Sequence, residues 1–471
     1  MFNKLLYKFN NKIIKAGLWY TVGNFLLKGV VFITIPIFTR LLTTSDYGMV
    51  NTYIAYEKIL SIIIGVGLVG TVKNAKYEFK EEFESYLLSV VELSFMIFMF
   101  FLLIGNTFFE SIQKYFEFNQ FIYNLLILSS YSSFLISFIS QRYIIEFKYK
   151  KFLSISFLNT IFSVIISLII IMILQSDKYM GRIIGNSLPM IIIGICILIS
   201  LTNKKIKKRN RKKHIKFGLV MGLPLVIHYL SQNVLAQFDR IMIQKYIDPS
   251  QVGIYSFVYN IGTILIVILY SIQNIWDPWI YSKMDKKDYK TIYNNSKYYI
   301  VLFSILTIGL VTISPEIIMI MGPEEYWSGI DMILPIVLSV YFNFLYVLPV
   351  GIEYFLKKTN YIAIGTVAAA ILNIILNIYF IPLYGAISAA YTTLISYICL
   401  FIFHWIILKK LFKVKLYSLI FIILSTLIVC VVSTIMIFLK NLLIIRYMLA
   451  VLLFIFLLLN YKKFNFVTKV R

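Results

Sequence analysis

Two arginines at corresponding places in the chain give the first sign of chemistry. Arg40 ends an apolar run that opens at Gly17, and Arg240 ends another that opens at Gly218. Phe38 and Phe238 each stand two positions before their arginine, and new apolar segments begin at Gly48 and Gly253. In the first run, Gly17, Thr21, Asn24 and Lys28 fall on one helical face. In the second, Pro224, His228, Gln232 and Asp239, with Ser231 alongside, form a polar stripe. The following run of the first half carries Glu57 and Lys58, which as neighbours on a helix point about 100° apart.

Such residues in a hydrocarbon setting handle charge rather than break bonds. A lysine at the middle of a span costs several kcal/mol unless it is hydrated or paired. Lys28 therefore reads either as a member of a wet polar face or as the structural partner of Glu57. Pro224 removes a backbone donor and suits a helix that must flex. His228 is either a titrating coupling group or a hydrogen-bonded bystander. Asp239 and Arg240 read as an interfacial anchor pair or as a gate.

The elements that must carry these residues follow from composition. Hydrophobic residues make up 60% of the 471 and charged residues 14%, which describes an all-α polytopic membrane protein. About fourteen spans are expected, as two six-helix lobes plus two C-terminal helices: an N-terminal lobe at 1–202, a basic linker at 203–216, a C-terminal lobe at 217–406, and accessory spans with a tail at 407–471. Most of the 45 Lys and Arg fall in the alternate loops that begin with the N-terminus, so both termini are expected in the cytoplasm. The same distribution, rather than the net charge of +24, argues against nucleic acid and for anionic headgroups around the linker.

Several smaller expectations accompany this plan. Glu92 pairs with the basic boundary. Asn373 and Asn377, one turn apart beside Ala368, Ala369 and Ala370, serve helix packing. His404 is interfacial, the two C-terminal spans are uniformly apolar and lipid-facing, and Cys196, Cys399 and Cys430 are packing residues. No metal-binding or nucleotide-binding motif is present, so neither an enzyme nor an ATP-driven pump is expected and no cofactor is implied.

The succession of motifs resembles a known family. Arg40–Gly48 (R-L-x(4)-D-Y-G), G-L-P then D-R then V-G-I-Y across Gly222–Tyr255, WDPW at 276–279, EEYW at 324–327, and N-x(3)-N with I-P-x-Y-G at 373–385 are similar to the bacterial polysaccharide-unit flippases of the multidrug/oligosaccharidyl-lipid/polysaccharide exporter superfamily. The resemblance implies movement of an undecaprenyl-diphosphate-linked oligosaccharide across the bacterial cytoplasmic membrane by alternating access, for O-antigen or capsule synthesis. It implies that Lys28, Arg40, Lys58 and Arg240, with Asn24, contact the substrate. Glu57, His228, Gln232, Asp239 and Pro224 are left as gating or coupling positions. The implied partners are the lipid-linked glycan, membrane lipids and other polysaccharide-assembly membrane proteins. A lipid II-type flippase is the near alternative; a cation-coupled multidrug extruder and a membrane-embedded polymerase are further ones. The extruder usually carries a carboxylate in its first span, where this chain has Lys28.

Overall fold

The computed structural model describes residues 12–114, 116, 118–203, 210–412 and 414–459. The helices are α1 (Lys12–Leu41), α2 (Thr44–Gly65), α3 (Leu68–Glu78), α4 (Phe83–Thr107), α5 (Phe109–Gln113), α6 (Gln120–Ile145), α7 (Tyr149–Ile173), α8 (Lys178–Thr202), α9 (Arg211–Asn233), α10 (Asp239–Tyr246), α11 (Pro249–Asp285), α12 (Tyr289–Met321), α13 (Ile333–Phe355), α14 (Thr359–Tyr384), α15 (Ile387–Leu411), α16 (Leu419–Phe438) and α17 (Leu443–Leu459). Among the described residues there is no strand, and twelve helices are long and apolar enough to cross a membrane. Leu443–Leu452 is a shorter apolar stretch. With α1, the architecture is the all-α polytopic one of about fourteen spans.

The chain folds into two compact units, Met1–Ile241 and Met242–Arg471. In the first, α6 is the central helix, packed against α2, α4 and α8, and α7 and α8 form a hairpin beside it. In the second, α13 is central, packed against α11, α12 and α15, and α14 pairs with α15. Counted as spans, these two central helices are the fourth and the tenth. The seventh span, α9, packs within the first unit. The middle of the basic linker, 204–209, lies outside the described residues.

α9 is seated by chemistry at its start and by backbone contact further along. His214 is fully buried, with its Nε2 3.2 Å from Glu82 Oε2 and its ring edge-on to Phe79 at 4.7 Å. Arg211 Nε lies 3.3 Å from Glu92 Oε2, the boundary pairing expected of that glutamate. Higher up, the second span is broken between α2 and α3 by two left-handed residues, Val66 (φ 47°) and Gly67 (φ 66°). A Cβ on Gly67 would stand 2.3 Å from the carbonyl oxygen of Gly222, and one on Gly222 would stand 2.4 Å from that of Val66. Helix and turn therefore meet backbone to backbone.

Other helices run past the expected span limits. α11 has 37 residues, about 55 Å at 1.5 Å per residue, and includes WDPW. Cys196 and Cys399 are free thiols on exposed faces, not core residues. His404 is fully buried rather than interfacial, and Arg446 lies fully buried in the last span, which is thus not uniformly apolar. Arg446 forms an ion pair with Glu316 of α12 and so fastens α17 to the second unit.

Gly67→Ala is expected to lower the thermal stability of the purified protein by more than about 1 kcal/mol, since the left-handed conformation alone costs an L-residue that much. Gly309→Ala, where the space is open, should leave the melting temperature unchanged or slightly raised.

Candidate functional site

The first unit gathers intramembrane charge. Lys58 of α2 lies within the electrostatic reach of Arg240, Glu57 and Lys28, in that order of strength. These four residues come from three separate stretches, and the fold puts three cations and one carboxylate in one neighbourhood. Glu57 is buried and hydrogen-bonded to Ser133 of α6. Among the described residues no ion pair joins it to Lys28, so the structural pairing weighed from sequence is replaced by the serine contact. Lys28 and Lys58 are both exposed at the surface of the unit, whereas Arg240 is 3% exposed.

The two arginines that mark the repeated runs adopt the same local arrangement. Arg40 Nη1 donates to the carbonyl of Pro36 at 2.9 Å, and Arg240 Nη1 donates to that of Ala236 at 2.8 Å. Each guanidinium thus folds back four residues along its own chain, at Arg240 onto a wide turn. At Arg240 that turn is a π-helical segment, Val234–Phe238, between α9 and α10. The extra residue per turn changes the helical phase, so Asp239, at the start of α10, does not continue the face of His228 and Gln232. Asp239 is fully buried. Gln232 Nε2 and His228 Nε2 are 3.3 Å apart on the same helix, with Gln232 and Pro224 exposed. Asn24 lies on α1, with its side chain outside the described residues.

Sequence reasoning missed a further cation, Arg182, in the first turns of α8. Its guanidinium lies 3.8 Å from the ring centroid of Phe38 and donates from Nη1 to Ser167 Oγ at 2.9 Å. The two partners hold the planar group flat, as suits arginine but not lysine. The repeated Phe38 was the available signal. In the second unit, Asn373 donates to Thr393 Oγ1 at 3.1 Å, Asn377 donates to Asn373 Oδ1 at 3.2 Å, and Thr392 closes the chain on Asn377 Oδ1. These buried amides join α14 to α15, the packing role read from their spacing. Among the described residues there is no cluster that could hold a metal ion.

Cations gathered about Lys58 can interact favourably with an anion. Residues 13–284, more than half of the chain, match the family model described as polysaccharide biosynthesis protein. The chain belongs to this family. A relative from Haemophilus influenzae, "Lsg locus putative protein 1", is 22% identical over 321 residues, covering 67% of this chain and 75% of its own. Among solved structures, the lipid II flippase MurJ in an inward closed conformation superposes with a TM-score of 0.72 at 18% identity, over 94% of this chain and 99% of its own. An inward-facing multidrug resistance MATE transporter of the MOP superfamily gives 0.65 at 12% identity, over 83% and 96%. The fold is thus shared with both branches, and the motif-based resemblance to the superfamily's polysaccharide flippases stands. The solved structures that share this fold are a flippase and a multidrug transporter.

The like charges of Lys28 and Arg240 act against that of Lys58. Lys58→Met, which removes two repulsions and one attraction, is expected to raise the melting temperature of the ligand-free protein, by an amount on the order of 1 kcal/mol. Added inorganic pyrophosphate should stabilise the wild type and do little for the variant.

Proposed function

We propose that the protein carries an undecaprenyl-diphosphate-linked oligosaccharide from the inner to the outer leaflet of the bacterial cytoplasmic membrane by alternating access, supplying O-antigen or capsule synthesis. The observation that carries this reading is the shared neighbourhood of Lys28, Lys58 and Arg240 in a chain of the polysaccharide biosynthesis family. A diphosphate must shed water to cross hydrocarbon, and fixed cations in a shielded setting offset that loss. No covalent step is required.

In this reading Lys28, Lys58 and Arg240 take the diphosphate, Arg40 and Asn24 extend the polar path, and the lipid tail stays in the bilayer. Glu57 tempers the cationic cluster. Pro224, His228, Gln232 and Asp239 belong to the seventh span, whose π segment and proline give it the means to bend. The homologous halves are 1–202 and 217–406, joined by the linker at 203–216, with 407–471 accessory. Both termini are cytoplasmic, following the basic loops. Membrane lipids and other polysaccharide-assembly membrane proteins are the natural partners.

A second reading, a lipid II-type precursor flippase, is favoured by the likeness to MurJ and differs in the glycan alone. The cationic cluster speaks against a carrier of cationic drugs.

In proteoliposomes, a fluorescent undecaprenyl-diphosphate oligosaccharide is expected to reach an impermeant quencher faster than in empty liposomes. Lys58→Ala or Arg240→Ala should slow this about tenfold or more, the loss of roughly one charge-assisted contact, with Lys58→Arg milder. Wild-type rates in both alanine variants would remove the cluster from the mechanism. Cation-driven efflux of dyes without lipid movement would replace the reading with drug export.

A further inference from the structure

The WDPW motif at 276–279 takes no part in the cationic cluster and lies in α11 of the second unit. Around it, Tyr270, Gln273, Asn274, Asp277, Pro278 and Tyr281 follow at i, i+3, i+4, i+7, i+8 and i+11, which is one side of a helix. Not one of the six is buried. Leu269, Trp276 and Ile280, on the adjoining side, turn into the bundle, where Trp276 meets the ring of Tyr299 of α12 at 4.4 Å.

This side of α11 is made of groups that hydrogen-bond or stack, and no cation is among them. Asp277 Oδ2 accepts from Gln273 Nε2 at 3.2 Å, while Oδ1, close to Gly351 of α13, is buried and meets no partner. Pro278 has no N–H, so the carbonyl of Asn274, four residues earlier, loses its helical donor and is left as an acceptor beside the exposed side-chain amide. Tyr270 is 56% exposed, and Tyr354 of α13 is 47% exposed. Tyr281 lies within electrostatic reach of Asp277 and Tyr354, so α13 adds a ring to the same edge. Phe355 backs Tyr281 at a ring distance of 5.7 Å.

A carboxylate and a bare carbonyl are costly against hydrocarbon, so this side of α11 faces water. Wet aromatic rings set among hydrogen-bonding groups suit a sugar, whose C–H faces lie on a ring and whose hydroxyls both donate and accept. Asp277 accepts hydroxyl protons and repels acidic groups. The side ends just before Lys283, Lys286 and Lys287, at the end that the basic loops assign to the cytoplasm in the reading above. The family match, which runs to residue 284, contains all six positions.

We propose that Tyr270, Asn274, Asp277 and Tyr281, with Tyr354, form a sugar-binding face in the second unit, selective for uncharged sugars, that receives the glycan before it crosses. That the sugar is the one carried by the lipid rests on the flippase reading; the binding of sugar does not. Diphosphate and glycan are then held by different side chains, so charge removal at Lys58 weakens one hold and ring removal at Tyr270 the other.

The test begins with free sugars. Saturation-transfer NMR on the full-length protein in lipid nanodiscs is read with maltose, lactose and chitobiose as neutral probes and a hyaluronan disaccharide as the uronate. At least one neutral disaccharide should receive magnetisation from the aromatic protons, and the uronate markedly less. Tyr270→Ala and Asn274→Ala should each cut the neutral signal about fivefold, the loss of roughly one stacking or hydrogen-bonded contact. Tyr379→Ala, which removes an exposed ring of α14, should leave it unchanged. Asp277→Asn should raise the uronate signal. If Tyr270→Ala does not fold, Asn274→Ala decides. No neutral signal in the wild type, or one that survives in the alanine variants, overturns the proposal and leaves the rings as interfacial anchors. Equal signals from uronate and neutral sugars overturn the selectivity. In proteoliposomes, Tyr270→Ala should slow a fluorescent undecaprenyl-diphosphate oligosaccharide of neutral sugars about fivefold and leave sugar-free fluorescent undecaprenyl diphosphate at its wild-type rate. Sugar binding with no movement of either lipid in the wild type would keep the sugar face and discard the flippase reading. Slowing of both lipids alike, or of neither, would discard the face as the place of the carried glycan.

Discussion

Hydrocarbon tolerates a polar or charged group only when it is paired, hydrated or hidden, and nearly every polar placement in this protein answers that constraint. Arg446 is hidden against Glu316 and thereby holds the last span in register. Arg182 is laid on Phe38 and a serine hydroxyl. The asparagines of α14 satisfy one another and two threonines of α15. Lys28, Lys58 and Arg240 stand out as like charges gathered in one neighbourhood with Glu57.

The sequence made the large plan readable because hydropathy and loop charge are strong, additive signals. The number of spans and the packing role of Asn373 and Asn377 follow from composition and spacing. The partners of single residues did not, because they depend on helix rotation. Lys28 and Glu57 looked complementary on paper, yet Glu57 turns into the bundle toward Ser133. His404 looked interfacial from its place near the end of a hydrophobic run. The buried carboxyl it meets, Glu353, lies fifty-one residues away, beyond any local pattern.

Local backbone breaks were equally illegible. Nothing in SIIIGVGLVG marks which residue turns left-handed, and the β-branched Val66 argues against its own conformation. The turn exists because the approach of α9 leaves no room for a side chain at Gly67 or Gly222. Tertiary proximity therefore sets the local dihedral angles. The resemblance in motif order reached the family sooner than these details because it draws on many weak positions together.

The five π-helical residues ahead of Asp239 make the direction of Arg240 a matter of counting. One residue corresponds to about 100° of helix azimuth, so an inserted or deleted residue in that segment would swing the guanidinium to a different side without altering a single side chain. Length, rather than identity, is what inheritance must preserve there. Members of the family that differ in almost every residue of the segment could still aim the same charge in the same direction, provided they keep its phase.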